Sequence, residues 1–161
     1  MSNRPSDIRD LLSRRTVRVG LEGSTKDEVI HALVQMLEGL PEVRDFEAVK
    51  RAVVDREAVM STGVGKGLAL PHGKTSAVTE TVAAFAVTKD PVDWGAIDSE
   101  PVRLVFLLVG TEAAKSQHIK ILSRVSRLMN REEFRNRLLA AETEEGIVAV
   151  FEEGDLELAD G

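Results

Sequence analysis

Residues 61–73 contain the residue types best suited to chemistry in this sequence. They read Ser-Thr-Gly-Val-Gly-Lys-Gly-Leu-Ala-Leu-Pro-His-Gly, with glycines at alternate positions before a short apolar run and a histidine. Pro71 restricts its own φ and favours an extended Leu70, and Gly73 leaves space beside the imidazole. We therefore expect His72 to be held rigidly on an exposed lip, where it can act as a nucleophile. The alternative is a connection whose glycines serve only turn geometry.

Arg56 lies a short step before this segment, near the end of a predicted helix. It follows Val49 by seven residues and Val53 by three, so helical spacing places it on the same face as these apolar residues. There its guanidinium can bind a phosphate through two parallel hydrogen bonds. The alternative is an aliphatic stem that packs inward while the guanidinium reaches solvent or pairs with Asp55 or Glu57.

The two remaining histidines, His31 and His118, occupy different positions on their predicted helices. His118 precedes Leu122, Val125 and Met129 by four, seven and eleven residues, which places it on an inward-facing stripe. It is either a structural residue of the core or a second functional group, and the helix N-terminus beside it favours an anion nearby. His31 lies off the apolar stripe of its helix and is expected to be solvated.

Several common types of functional site are disfavoured. The three histidines lack ligand spacing such as His-x-x-x-His and the chain has no cysteine, so we predict no metal site, disulfide or thiolate nucleophile. A Walker phosphate loop is excluded because Lys66 is followed by Gly67 and the loop follows a helix. Nucleophile-elbow and distinctive dinucleotide-binding motifs are missing too, and we predict no bound cofactor.

The elements that must position these residues follow from apolar periodicity and from glycine and proline punctuation. Apolar runs of strand length predict strands over residues 17–21, 68–70, 81–87 and 103–109, the last of them central. Helical spacing predicts helices over about residues 25–38, ended by Gly39, and over 46–59, 115–129, 132–139 and 143–151. This order of elements predicts an α/β fold with a mixed β-sheet covered by helices.

Length and composition bound the function classes. A chain of 161 residues with 43% hydrophobic and 30% charged residues is typical of one globular domain, with an expected core over about residues 11–153 and short flexible ends. A net charge of −6 gives no overall positive field for nucleic acid or anionic lipid. The N-terminus lacks a secretory signal, and the longest apolar run, Leu104–Val109, is too short to cross a bilayer. We expect a cytoplasmic protein without membrane insertion or a nucleic-acid partner.

The segment from Glu57 to Gly73 resembles the active-site signature of the EIIA domains of the bacterial phosphoenolpyruvate-dependent phosphotransferase system, in the fructose/mannitol/nitrogen superfamily. That signature begins with an acidic or amide residue and ends with apolar-Ala-apolar-Pro-His-Gly. It is met here by Glu57, Val64, Gly65, Leu68, Ala69, Leu70, Pro71, His72 and Gly73. The resemblance extends from about Val17 to Phe151 and includes the turn from Pro91 to Pro101 and the His118 helix.

This resemblance implies a single-domain α/β fold in which a mixed β-sheet is flanked by helices on both sides. It implies that His72 is phosphorylated, that Arg56 is the active-site arginine and that His118 is the second active-site histidine. We expect the charge of the phosphoryl group to be stabilised also by a phosphate-binding loop formed by Ser61, Thr62, Gly63, Gly65, Gly67 and Gly73. The donor implied is the phosphohistidine of an HPr-like carrier protein.

Two destinations for the phosphoryl group follow from the resemblance. In the family it passes to a cysteine of an EIIB domain, whereas the nitrogen branch generally lacks this step and regulates other proteins. The Ser61–Gly67 stretch, Lys74 and the lack of a fused EIIB or membrane region resemble nitrogen-type members more. We therefore favour a phosphocarrier that regulates a partner such as a kinase or transporter, with a sugar-specific EIIA for fructose- or mannitol-type uptake as the alternative.

The site is expected to be a shallow depression with an apolar rim, because His72 must receive and donate between proteins. A degenerate relative that is not phosphorylated is disfavoured, since His72, Arg56 and His118 are all present.

Overall fold

A computed structural model describes residues 8–160 of the chain. Within this range the strands are β1 (Val17–Leu21), β2 (Gly63–Gly65), β3 (Leu68–Ala69), β4 (His72–Lys74), β5 (Val82–Val92) and β6 (Val102–Gly110). The α-helices are α1 (Lys26–Gln35), α2 (Phe46–Val59), α3 (Lys115–Met129), α4 (Glu132–Ala140) and α5 (Glu144–Asp160). Two 3-10 turns, Ile8–Asp10 and Arg14–Thr16, precede β1.

These strands form one mixed sheet with β6 near its centre, as predicted. The order is β1–β5–β6–β3–β2, and β4 also pairs with β6. β1 is parallel to β5, and β3 and β4 are parallel to β6, whereas the β5–β6 and β2–β3 pairs are antiparallel. Leu68 lies opposite Leu104 and His72 lies opposite Leu108. β3 and β4 therefore follow the same edge of β6, which leads His72 towards the end of that strand.

Helices cover both faces of the sheet, which confirms the predicted architecture. One core lies between the sheet and α1–α2 and includes Val53 and Leu107. The other lies between the sheet and α3–α5 and includes Phe106 and Ile121. Neighbouring residues of β6 thus enter opposite cores, which is why this strand is a continuous apolar run in the sequence.

The ends of the packed structure lie close to the ends of the described chain. Ile8 and Leu158 are both buried in the core on the α3–α5 side. The expected flexible ends fall in part on residues 1–7 and 161, which lie outside the described residues, and that expectation stays a prediction.

Helix α1 begins as predicted but ends earlier. The Thr25 hydroxyl accepts a hydrogen bond from the Glu28 N–H at 3.2 Å, and the Glu28 carboxylate accepts one from the Thr25 N–H at 3.2 Å, which forms a capping box. The helix ends at Gln35 instead of about residue 38. The chain continues through a turn to Gly39, whose φ of +87° only glycine adopts readily.

Helix α5 is longer than predicted, continuing past Phe151 to Asp160. The acidic residues after Phe151 interrupt its apolar pattern in the sequence. One of them, Asp155, is nevertheless buried and lies 3.4 Å from the Arg124 guanidinium of α3. This ion pair between helices allows α5 to remain helical against the core where the sequence pattern predicts an end.

The sequence pattern does not predict β2 or β4. Each has only three residues and includes glycine, so neither shows the alternation by which a strand is recognised. Their pairing with β3 and β6 makes them strands. His72 therefore lies in the first position of a strand, directly after the predicted Leu-Ala-Leu-Pro run.

Candidate functional site

The imidazole of His72 is held by the backbone two residues before it. Its Nδ1 lies 2.8 Å from the carbonyl oxygen of Leu70. A carbonyl oxygen can only accept a hydrogen bond, so Nδ1 carries the proton and Nε2 of the neutral ring keeps its lone pair. The orienting group was not identified from the sequence, although the extended Leu70 before Pro71 was the signal available for it. The ring presents Nε2 for chemistry.

His118 lies beside His72 and faces inward, as its helical spacing predicts. Its side chain is only 4% exposed, and the centroids of the two rings are 5.5 Å apart. Neither ring nitrogen of His118 has a hydrogen-bond partner among the described residues. A buried polar atom without a partner is unfavourable. The His118 ring therefore has a donor and an acceptor, next to His72, that no described residue uses.

Both histidines are held neutral by their surroundings. Burial lowers the pKa of His72 below its ordinary value of 6.5 more strongly than the hydrogen bond to the Leu70 carbonyl raises it. The positive charges of Arg56 and Lys74 lower this pKa further. Burial is the main cause that lowers the pKa of His118 to about 4, and the charge that His72 carries when protonated and the charge of Lys74 lower it further. At neutral pH the site thus contains two uncharged imidazoles.

These pKa shifts predict the result of an NMR titration of the imidazole nitrogens. We expect the pKa of His72 to lie below 6.5 and that of His118 to lie near 4, because burial disfavours the charged form of each ring. The nitrogen shifts of neutral His72 should also identify Nδ1 as the protonated atom. A His72 ring that becomes charged above pH 6.5 as the pH falls, or carries its proton on Nε2, would contradict this electrostatic description.

Arg56 does not lie on the inward face predicted for it. The buried residues of α2 are Val49, Val53 and Glu57, which follow one another at intervals of four. Arg56 is partly buried, and its Nη1 donates to the carbonyl oxygen of Met60 at 3.1 Å. The buried face of α2 therefore includes Glu57, and not Arg56 as the sequence pattern predicts. Arg56 thus lies at the boundary between core and solvent, where its charge still acts on His72.

Gly73 allows helix α2 to pack closely against β4. This role differs from the expected one, which was to leave space beside the imidazole. A Cβ atom on Gly73 would lie 3.3 Å from the backbone of Ala52 and from the nitrogen of Val53. A contact this short is tighter than normal packing, so a larger residue would push the helix away. The lack of a side chain at Gly73 therefore leaves room for α2, which carries Arg56, and not chiefly for the imidazole.

Comparison with known proteins adds to this geometry. Residues 10–154 match the family described as "Phosphoenolpyruvate-dependent sugar phosphotransferase system, EIIA 2". The chain belongs to this EIIA family. It is 39% identical over 148 residues to the fructose-specific EIIABC component of Bacillus subtilis, covering 92% of this chain and 23% of that protein. The chain therefore spans about a quarter of the length of this relative.

Two further comparisons involve proteins of similar length. The nitrogen regulatory protein of Pseudomonas aeruginosa is 32% identical over 133 residues, which cover 82% of this chain and 86% of that protein. The crystal structure of the nitrogen regulatory protein IIA-Ntr from Neisseria meningitidis superimposes with a TM-score of 0.84 at 28% identity, covering 89% of this chain and 98% of that one. Nearly the whole chain thus adopts the EIIA fold.

The glycine-rich segment of this EIIA chain forms a β-hairpin of β2 and β3. Gly65 and Gly67 have φ values of +98° and +77°, which the turn between the strands requires. A Cβ atom on Gly63 would lie 2.9 Å from the backbone of Ala96, so this glycine allows close packing against the turn after β5. Structural needs therefore explain these three glycines.

The residues just before the hairpin, Ser61 and Thr62, form hydrogen bonds within the protein. The Ser61 hydroxyl donates to the Trp94 carbonyl at 3.0 Å and accepts from the Gly63 N–H at 3.1 Å. Thr62 is buried, and its N–H donates to the Glu57 carboxylate at 2.9 Å. These contacts support the alternative in which the segment is chiefly structural. A role for Ser61, Thr62 and the glycines in binding phosphate stays a prediction.

Gly110, at the end of β6, leaves the space that the His118 ring occupies. A Cβ atom at this position would lie 2.9 Å from Nδ1 of His118, which is shorter than packed atoms allow. Sequence reasoning missed this residue, because only the tertiary structure brings it against the ring. The close packing of Gly110 explains how a histidine on α3 reaches His72 on β4.

We expect the substitution G110A to displace the His118 ring and slow phosphorylation of this EIIA chain by roughly tenfold, since a shift of about 1 Å in a reacting group can slow catalysis strongly. The rate of phosphate incorporation, measured by rapid quench, tests this. G146A, on α5 outside the candidate site, is the control and should keep the wild-type rate. Equal rates for G110A and wild type would show that the placement of His118 is unimportant.

The described residues offer no evident metal or membrane site. Within residues 8–160, no group of three or more histidine, aspartate and glutamate side chains lies close enough together to bind a metal ion. None of the helices in this range is both long and apolar enough to cross a membrane.

Proposed function

We propose that this chain is a phosphocarrier and that Nε2 of His72 forms the phosphohistidine intermediate. One observation carries the proposal: a neutral imidazole fixed through Nδ1 by the Leu70 carbonyl lies 5.5 Å, centroid to centroid, from the buried and unpartnered His118. A nucleophilic nitrogen must keep its lone pair, and a transferred phosphoryl group needs nearby donors for its oxygens. Family membership supports the same reaction.

The reaction is a transfer between two imidazoles. Nε2 of His72 attacks the phosphorus of an HPr-like phosphohistidine in line, and the bond from phosphorus to the donor nitrogen breaks as the new bond forms. The proton of His72 stays on Nδ1 throughout, in the hydrogen bond that Nδ1 donates to the Leu70 carbonyl. The Arg56 guanidinium and an N–H of His118 stabilise the charge on the transferred oxygens.

Exposed apolar residues beside the site support docking of a protein partner. Met60 is 68% exposed and follows the α2 turn that holds Arg56, while Ile119 is 67% exposed and follows His118. Methionine is enriched at protein–protein interfaces, and the buried core of such an interface is more apolar than the rest of the surface. Met60 and Ile119 fit the apolar rim expected for a histidine that exchanges its phosphoryl group between proteins.

The onward step has two candidates, each supported by relatives. Nitrogen-type regulation of a partner protein such as a kinase or transporter is supported by the nitrogen regulatory proteins of Pseudomonas aeruginosa and Bradyrhizobium diazoefficiens, the latter 31% identical over 144 residues. Transfer to an EIIB cysteine is supported by the fructose-specific relatives, of which the Haloferax volcanii EIIA component is 32% identical over 148 residues.

The test is to label the chain with radioactive phosphoenolpyruvate, the first enzyme of the system and an HPr-like carrier, and then to add purified EIIB. If the chain loses its label and the EIIB cysteine gains it, the onward step is transfer to EIIB, as in the sugar-uptake alternative. Retention of label, together with partner binding that depends on phosphorylation, would establish regulation. A chain that takes up no label from any carrier would refute the phosphocarrier proposal.

A further inference from the structure

Glu57 is a buried carboxylate next to the candidate site. It follows Val53 by four residues on the inward face of α2 and is only 6% exposed. A carboxylate that leaves water must be compensated by hydrogen bonds or opposite charge. Its environment therefore has to supply several donors.

Three donors from two other segments meet this carboxylate. Thr62 donates both its N–H, at 2.9 Å, and its hydroxyl, and the Lys26 ammonium lies 3.3 Å away. The Trp94 indole N–H donates in turn to the Thr62 hydroxyl at 3.3 Å. Glu57 thus joins α1, the end of α2, the start of the β2–β3 hairpin and the turn after β5 in one buried network.

From Thr62 the hydrogen bonds continue to the His72 ring. The Leu70 N–H donates to the Thr62 carbonyl at 3.0 Å. The Leu70 carbonyl in turn accepts a hydrogen bond from Nδ1 of His72 at 2.8 Å. Glu57 therefore fixes Thr62, Thr62 fixes Leu70, and Leu70 determines which ring nitrogen faces the reacting phosphorus.

The charge of Glu57 also acts on the ring. It raises the pKa of His72, opposite in direction to the positive charges of Arg56 and Lys74. The groups that act on His72 thus come from α2, from Leu70 just after β3, and from β4 itself. A neutral residue of the same shape at position 57 would remove one of these influences while leaving the packing of α2 almost unchanged.

We propose that Glu57 is a positioning residue for phosphoryl transfer, acting through Thr62 and Leu70 on the orientation of the His72 ring. This inference rests on the proposed phosphorylation of His72, but its structural part concerns the ring in the absence of any partner. Glu57 touches neither the phosphoryl group nor the reacting nitrogen in this scheme. Its effect should appear as a change in the population of His72 states.

The substitution E57Q keeps the shape of the side chain and removes its charge. We expect the phosphorylation rate to fall roughly tenfold, because small displacements of a nucleophile slow transfer. In an NMR titration, the pKa of His72 should move further below its wild-type value, since the carboxylate raises it. The neutral His72 ring should also show a larger fraction of the Nε2-protonated tautomer.

A second variant and a control separate positioning from stability. T62V removes the hydroxyl that donates to Glu57 but keeps the N–H, and should reproduce a smaller part of the tautomer change. D155N neutralises another buried carboxylate, 2% exposed on α5, and should leave the rate and the His72 titration unchanged. If E57Q folds and both its His72 titration and its tautomer match wild type, the inference fails even if the wild type is phosphorylated. If the wild type takes up no label, the proposed function fails instead.

Discussion

Substitution of His72 by alanine is expected to abolish incorporation of acid-labile, base-stable phosphate when the chain is incubated with phosphoenolpyruvate, the first enzyme of the phosphotransferase system and an HPr-like carrier. The reason is that Nε2 of His72 is the proposed bonding atom, and no other group can replace a nucleophile that is oriented through Nδ1 by the Leu70 carbonyl. His118 is close, but its ring is buried, and as a neutral imidazole it has a single N–H with which to stabilise charge. The measurement is the amount of phosphate bound per chain at saturation.

A matched control is available on α1. His31 is exposed, and its Nδ1 lies 2.7 Å from the Asp27 carbonyl, so it shares with His72 a ring held by the backbone but lies outside the candidate site. H31A should be labelled fully. Full labelling of H72A would overturn the assignment of the phosphorylated atom. Loss of label from H31A would show that the assay reports folding and not the site.

Substitution of Arg56 by alanine is expected to slow phosphorylation by roughly 10²–10³-fold, the usual loss when a single preorganised donor is removed from a developing charge. Arg56 lies at the boundary between core and solvent, and its hydrogen bond goes to the Met60 carbonyl, so the chain should remain folded. The expected loss is in the rate of transfer at saturating carrier. The measurement is single-turnover transfer from a phosphorylated carrier, with thermal unfolding followed in parallel.

Two variants sharpen this prediction. R51A removes an exposed arginine from the same helix and should retain the wild-type rate, which controls for the change in net charge. R56K keeps the charge but loses the planar pair of donors, and should fall between R56A and wild type if the guanidinium binds phosphate oxygens in a bidentate manner. A wild-type rate for R56A would mean that Arg56 does not stabilise the transferred group.

Much of the architecture could be predicted from local sequence patterns. The bounds of β1, α2 and α3 agree with the predicted ones, because each has an apolar period or run that matches its length. The inward position of His118 followed from the same spacing. The prediction that Arg56 lies on the buried face of α2 was wrong. The residue that follows Val53 on that face is Glu57, the neighbour of Arg56 in the sequence. A charged side chain gives no apolar signal, so the pattern could not choose between these two neighbours.

By itself, therefore, the sequence determined the mixed sheet covered by helices and the likeness of residues 57–73 to an EIIA signature, because both depend on residue types at short spacing. Only the tertiary structure decided that His72 is oriented by Leu70, that His118 fits against Gly110, and that Glu57 joins Thr62 and Lys26. These contacts depend on the pairing of β4 with β6 and on the approach of α2 to Gly73. Some of these contacts join residues that are distant in the sequence, and others are hydrogen bonds to backbone atoms. The periodicity of side chains carries no signal for either kind.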